Sequence, residues 1–228
     1  ENHFSEIKDL KIKNTLIEIL KDFKGIASVL DKLKPYWIHN DLNDQNLLVK
    51  HSLGKPPEIS AILDFGDLSF CPRICNIAIC SSYLMILPDV GLDKQLHFLM
   101  GYHEVNPISE TELDILYTLI MVRIAVSYVN SVVMSKKKPK DPYVIISQKD
   151  TKNFLLQIKE NKDFITSRFR HVCGFSLSSS YEDVQMHLTS KSNSFFPAIK
   201  GDLNASSLIN LDPQNCAIPQ DPYDIKDS

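Results

Sequence analysis

The chain has 228 residues, 43% of them hydrophobic and 23% charged, enough to bury one substantial core, or a core and a tail. A net charge of −3 and a single dense basic run, Lys136-Lys137-Lys138 with Lys140, exclude the basic stripe of a nucleic-acid binder; the run reads as a solvated loop at a helix end. No apolar run is expected to reach the roughly 18 residues that span a bilayer, Ile74 to Leu87 being the most hydrophobic segment, and no signal peptide precedes the first element, so a cytoplasmic protein engaging neither membrane nor nucleic acid is expected.

From Phe4 to Leu33, apolar residues recur at helical spacing (Ile7, Leu10, Leu16, Ile19, Phe23, Ile26), with Gly25 as a possible interruption and Pro35 as the stop. Tyr36-Trp37-Ile38 reads as a short strand. Leu47-Leu48-Val49 and Ile59 to Leu63 read as two further strands joined by the Gly54/Pro56/Pro57 turn, a hairpin. Pro72 is expected in the first turn of a helix running to about Leu87 and holding Cys75 and Cys80, with Cys71 assigned to the same helix. Further helices are expected over Asp93 to Glu104, from a Ser109/Glu112 capping box to about Met134, and over Asp150 to Phe169. The domain reading is a folded unit over 1–172, followed over 173–228 by a Ser/Pro-rich linker or tail largely without regular structure. Five cysteines without metal-ligand spacing read as reduced thiols.

Most of the chemistry lies in one loop and one turn. His39-Asn40-Asp41-Leu42-Asn43-Asp44-Gln45-Asn46 places an aspartate five residues before an asparagine, and Asp64-Phe65-Gly66 follows the hairpin. In phosphoryl transfer a protein mainly positions groups and neutralises charge. One aspartate accepts the proton of the attacking hydroxyl, while an asparagine and a second aspartate hold Mg²⁺, which needs only one or two protein oxygens besides phosphates and water. The hairpin returns the chain to where it left, so Asp41, Asn46 and Asp64 are expected at one end of it. His39 is expected to be a buried, hydrogen-bonded scaffold for the loop. Asp67 is an assistant to the metal site or half of an ion pair. Asn43 and Asp44 sit within the loop, and Asp44 is carried forward as a candidate substrate contact. Arg123 is the single charge in the apolar stretch Leu116 to Val133; pairing with a loop carboxylate or a substrate carboxylate is one option, and an edge-exposed side chain is the plainer expectation.

These motifs resemble the aminoglycoside phosphotransferase/choline kinase superfamily, and within it the hydroxylysine kinase group, over about residues 1 to 170. The protein-kinase form of the loop differs, since Asn40 and Asn43 stand where that form has arginine and lysine. The resemblance implies an α+β, mostly helical fold: the C-terminal lobe of a kinase-like protein. Asp41 would be the catalytic base and Asn46 and Asp64 the magnesium ligands, with GTP or ATP as donor and 5-hydroxylysine as acceptor. Two positions depart from the family pattern. Asn40 replaces a glycine, and asparagine tolerates unusual backbone angles better than most residues. Asn76 replaces an aspartate that braces the catalytic loop; an amide can still hydrogen-bond but brings no charge.

No Gly-rich phosphate loop or strand lysine is present, so nucleotide-binding residues are expected mainly in an N-terminal lobe that this chain lacks, and the start at Glu1 reads as that of a piece of a longer polypeptide. The tail suits a linker to a class III aminotransferase-like domain, which the group can carry. The alternative function is an inactive kinase-like module that binds or organises a larger protein. A choline-type kinase would need an aromatic cage, for which Tyr83, Tyr102, Tyr117 and Tyr128 are the candidates, each expected first as a packing residue.

Overall fold

A computed structural model describes residues 6–87, 91–137, 142–157 and 162–176. The backbone divides into two units, Glu1–Ser178 and Ser179–Ser228, and every described residue belongs to the first. The expected tail therefore lies, beyond residue 176, outside the described residues. The described architecture is α+β and mostly helical, as the motifs implied, with four short strands and six α-helices.

Helix α1 (Leu10–Leu30) buries Ile12, Leu16 and Ile19 along one face. The Asp9 carboxylate caps its start, accepting the amides of Lys11 and Ile12 at 3.0 and 3.3 Å. Gly25 faces open space and does not break the helix. Strand β1 (Pro35–Ile38) then leads into the loop. Strands β2 (Leu47–Lys50) and β3 (Glu58–Ile62) form the expected antiparallel hairpin, pairing Leu47 with Ile62 and Lys50 with Glu58.

The partner of β1 is a strand that periodicity did not suggest. Strand β4 (Ser69–Pro72) runs antiparallel to it, pairing Ile38 with Ser69 and Pro35 with Pro72. This β1–β4 ribbon is the neck of the excursion that carries the loop, the hairpin and the Asp64 turn. Pro72 is therefore the last strand residue, not a first-turn helix residue, and Cys71 lies in β4 apart from the helix that holds Cys75 and Cys80. A proline here is tolerated because a strand end in a two-stranded ribbon does not require its missing N–H.

Helix α2 (Ile74–Met85) follows, then α3 (Gly91–Val105) and α4 (Glu110–Lys137). The capping box at the start of α4 forms in both directions. The Ser109 amide and hydroxyl donate to Glu112 Oε2 at 2.9 and 2.8 Å, and the Glu112 amide donates to Ser109 Oγ at 3.3 Å. The expected helix over 150–169 falls on α5 (Pro142–Gln157) and α6 (Lys162–Val172), with residues 158–161 outside the described residues. Pro142 opens α5 well before Asp150, as suits a residue with no N–H to give in a first turn. Lys136 and Lys137 belong to the last turn of α4, not to a loop, and Lys136 pairs with Glu6 at 2.8 Å; Lys138 and Lys140 lie outside the described residues.

Helix α4 is the centre of the fold, packed by α1, α2, α5 and α6. Leu113, Leu116, Ile120 and Ile124 are at most 1% exposed, and Ile115 and Leu119 are buried on other faces. Contrary to the expectation that no apolar stretch reaches spanning length, α4 is by length and composition apolar enough to cross a membrane. In this fold 61% of its apolar window is buried by its neighbours, and that packing accounts for the composition.

Candidate active site

Two residues in the left-handed backbone region shape the site, Asn40 (φ 65°) in the loop after β1 and Asp64 (φ 57°) in the turn after β3. Asparagine and aspartate are the non-glycine residues that enter this region most readily. Asn40 thus keeps the turn that a glycine would otherwise make. Its amide donates to Asn76 Oδ1 at 3.1 Å, so the amide that replaces a bracing carboxylate still ties the loop to the first turn of α2.

His39 is 8% exposed and joins the two halves of the site. Its Nε2–H donates to the carbonyl of Leu63 at 2.7 Å, which leaves Nδ1 as the acceptor facing the Asp41 amide at 3.4 Å. The ring also packs against Phe65, with centroids 4.9 Å apart. The Leu63 amide donates to the Asn46 carbonyl at 2.9 Å. These contacts fix the strand end that precedes Asp64 against the loop that carries Asp41 and Asn46. The scaffold role expected of His39 is what the ring does.

The Asp41 carboxylate is 27% exposed and meets donors on both oxygens. Arg123 Nη2 lies 2.7 Å from Oδ1, and the Tyr83 hydroxyl 3.3 Å from the same oxygen. Oδ2 faces the side-chain amides of Asn43 and Asn46 at 3.3 and 3.5 Å, both longer than a strong charge-assisted bond. The same amide of Asn46 donates to the Asp41 carbonyl at 2.8 Å, closing the loop on itself. Oδ2 is therefore the less committed oxygen.

The remaining candidates separate clearly. Asn43 is turned inward, capping the Gln45 amide at 2.9 Å as well as facing Asp41. Asp44 is exposed, with no side-chain partner among the described residues. Asp67 is exposed too, and only its carbonyl is engaged, by Ser69 Oγ at 3.1 Å. Arg123 is not the edge-exposed arginine that was the plainer expectation: it rises from the middle of α4 to the loop carboxylate. Tyr83, expected as a packing residue, reaches the same carboxylate. The other three tyrosines do not converge with it: Tyr117 and Tyr128 are buried in the core, and Tyr102 accepts from Asn106 at 2.9 Å.

Sequence reasoning missed Arg73. Its guanidinium bonds Glu112 through Nε at 2.9 Å and Nη2 at 3.0 Å, and also reaches Asn106 and the Pro107 carbonyl. It clamps the start of α2, and so Asn76 and Tyr83, onto the α3–α4 turn. Burial alone would raise the Glu112 carboxyl, but Arg73 and the Ser109 donors outweigh it and hold the group below its usual range.

The oxygens available to a metal fit a hard divalent cation. The Asn46 amide nitrogen is used within the loop, and its Oδ1 meets no donor among the described residues. Asp64 is exposed and accepts the Gly66 amide on Oδ1 at 3.3 Å, leaving Oδ2 free. No group of three or more His, Cys, Asp or Glu side chains suited to a metal occurs among the described residues. Two oxygens with room for phosphates and water is the sparse coordination that Mg²⁺ accepts, and neither is a soft donor.

An aspartate just after a strand, an asparagine five residues on, and a second aspartate tied to both through a histidine are the residue types, in the order, that phosphoryl transfer uses. Residues 8–106 match the family model described as the phosphotransferase enzyme family, APH. The chain is 36% identical to hydroxylysine kinase of Danio rerio over 118 residues, covering 52% of this chain and 30% of that protein. It is 27% identical to hydroxylysine kinase of Mus musculus over 164 residues, 69% of this chain and 44% of that one. With the Xenopus laevis hydroxylysine kinase the identity is 33% over 129 residues, 54% and 34% of the two chains. The chain spans less than half the length of these curated relatives. No solved structure matches it. Over residues 8–106 the chain is thus similar to the phosphotransferase enzyme family, and over a longer stretch it is similar to hydroxylysine kinases. Arg123 lies beyond the segment matched by the family model, so the partner of Asp41 comes from outside that motif-bearing stretch.

Proposed function

We propose that this chain carries the catalytic loop of a small-molecule kinase, which transfers the γ-phosphoryl group of GTP or ATP to a hydroxyl of an amino alcohol or amino acid, with 5-hydroxylysine as the preferred acceptor. The observation that carries the proposal is the joining of Asp41, Asn46 and the Asp64 turn through His39 and Leu63. The names of the similar proteins supply the acceptor.

Asp41 is the proton acceptor. Its Oδ2, held only by the long contacts from Asn43 and Asn46, takes the proton of the acceptor hydroxyl. The hydroxyl oxygen bonds to the γ-phosphorus as the bond to the bridging oxygen breaks, and the nucleoside diphosphate leaves with that electron pair. Asn46 and Asp64 would hold Mg²⁺, which neutralises phosphate charge when bound. Asn43 and His39 keep the loop in shape, Asn76 pins it to α2, and Asp44, whose exposure supports the role, would meet the amino end of an acceptor. Residues that clamp the nucleotide are proposed to lie mainly in a part of the protein outside this chain.

The test is nucleoside diphosphate release by the full-length gene product with Mg²⁺ and GTP or ATP, against 5-hydroxylysine, choline, homoserine and an aminoglycoside. Release that depends on hydroxylysine and drops at least about a hundredfold in Asp41→Ala is the expected result. Full activity of a folded Asp41→Ala protein overturns the mechanism. Silence with every acceptor replaces it with the inactive-module reading, which the Arg123 contact on Asp41 would then suit.

A further inference from the structure

Within the apolar stretch from Leu116 to Val133 of α4, Arg123 is the single charged residue, and the fold places it at the carboxylate of the proton acceptor. A guanidinium carries five N–H donors in a planar fork. Here Nη2 alone is engaged, by Asp41 Oδ1 at 2.7 Å and the Tyr83 hydroxyl at 3.3 Å. Nε is buried and has no partner, and no contact engages Nη1 among the described residues. A buried donor left unmade is costly, and a planar pair of donors beside it matches a planar anion with two oxygens.

The Asp41 contact does not by itself account for the arginine. Asp41 is 27% exposed and also faces two side-chain amides, so Arg123 is one of several donors to it. The arginine side chain is 28% exposed and therefore open to the same cleft. The Tyr83 ring lies under the guanidinium, with 6.0 Å from Cζ to the ring centroid, while its hydroxyl touches both Arg123 and Asp41. Tyr83 thus fixes the plane of the fork and leaves part of it unengaged.

We propose that Arg123 reads a carboxylate on the acceptor, with Tyr83 as the positioning residue that holds the guanidinium between that carboxylate and Asp41. The inference rests on the kinase reading above and narrows its acceptor class from amino alcohols and amino acids together to amino acids. An acceptor whose hydroxyl and carboxylate are joined by a short aliphatic stem meets Asp41 Oδ2 at one end and the free edge of Arg123 at the other. An amino alcohol without the carboxylate leaves that edge unpaired, and the site discriminates against it on that ground.

The experiment is calorimetric titration of the full-length protein, in the presence of a non-hydrolysable nucleotide, with 5-hydroxylysine and with its decarboxylated diamine analogue. Both ligands keep the hydroxyl and both amines. The wild type is expected to bind the amino acid about tenfold to a hundredfold more tightly, the range of a hydrogen bond to a charged group. Arg123→Met should reduce that preference to about twofold or less, Arg123→Lys should restore part of it, and Tyr83→Phe should lower it without abolishing it. A purely structural arginine would weaken both ligands equally and leave the preference intact, a result that overturns the proposal. Equal binding of the two ligands by the wild type, or binding of neither, overturns it without needing any variant to fold. Hydroxylysine-dependent release of nucleoside diphosphate by the wild type is measured in parallel. Release without carboxylate preference sinks this inference alone, and carboxylate preference without release sinks the kinase reading alone.

Discussion

Asn76→Ala tests whether an uncharged side chain braces the Asp41 loop. Asn76 Oδ1 is the acceptor recorded for the Asn40 amide, at 3.1 Å, and the group is half-buried. Removing that acceptor costs about 1–2 kcal/mol for a partly buried donor left unmade. Asn40 also sits at φ 65°, a conformation that costs a side-chain-bearing residue about 1 kcal/mol and is held only while its surroundings determine it. With a loss of about 1.5 kcal/mol and a shift of roughly 2–4 °C per kcal/mol for a unit of this size, Tm should fall by about 3–6 °C. Asp41 follows Asn40 directly, so a relaxed loop moves the proposed proton acceptor, and kcat should drop about tenfold to a hundredfold. Thermal melts and diphosphate release on the full-length protein measure the two effects. Asn76→Asp keeps an acceptor and adds a charge near a helix N-terminus, so it should match or exceed the wild-type Tm. An Asn76→Ala protein with wild-type Tm and kcat would refute the bracing argument.

The Glu112 carboxyl is held below its usual range, so its contribution to stability is fully present above the unfolded value near 4.5 and is lost as pH falls through the lower folded value. Glu112→Gln should therefore cost about 2 kcal/mol at neutral pH, and its deficit against the wild type should shrink in melts recorded below about pH 4; a deficit that grows on acidification contradicts the assignment. At Gly91 a Cβ would lie 2.5 Å from the Met85 carbonyl oxygen, so Gly91→Ala must move backbone at the α2–α3 junction. Denaturant unfolding should show a loss of about 1–3 kcal/mol, and an unchanged midpoint would exclude the clash. A Cβ at Gly66 would stand 3.3 Å from Asp64 Oδ1, the oxygen that accepts the Gly66 amide. Gly66→Ala should raise the Mg²⁺ concentration needed for half-maximal turnover severalfold while Tm stays within about 2 °C of the wild type; an unchanged Mg²⁺ requirement would detach Asp64 from the metal.

The elements that could be read in advance are those whose cause is local. The periodicity of α1, the reciprocal Ser109/Glu112 cap and the Gly/Pro turn of the hairpin each act within a few residues, and each reappears in the fold. Strand β4 had no such signal. Ser69-Phe70-Cys71-Pro72 becomes a strand because β1 pairs with it, a contact made across more than thirty residues, and without that partner Pro72 looks like the start of a helix.

The site divides along the same line. His39, Asp41, Asn46 and Asp64 sit in two short motifs separated by one hairpin, so their types and spacing announce the chemistry before any coordinates exist. The groups that set the state of Asp41 are dispersed. Tyr83 lies 42 residues from it and Arg123 lies 82, on helices α2 and α4, and they meet the loop only because those helices pack together. Arg73 shows how far this dependence extends. Its bonds to Glu112 and Pro107 fix the start of α2 to the α3–α4 turn, and with it the positions of Asn76 and Tyr83. A lone arginine in an apolar helix was the one visible trace of this arrangement. Its composition alone could not decide between an exposed edge and a loop carboxylate, because both satisfy a guanidinium; the packing of α2 against α4 decides it.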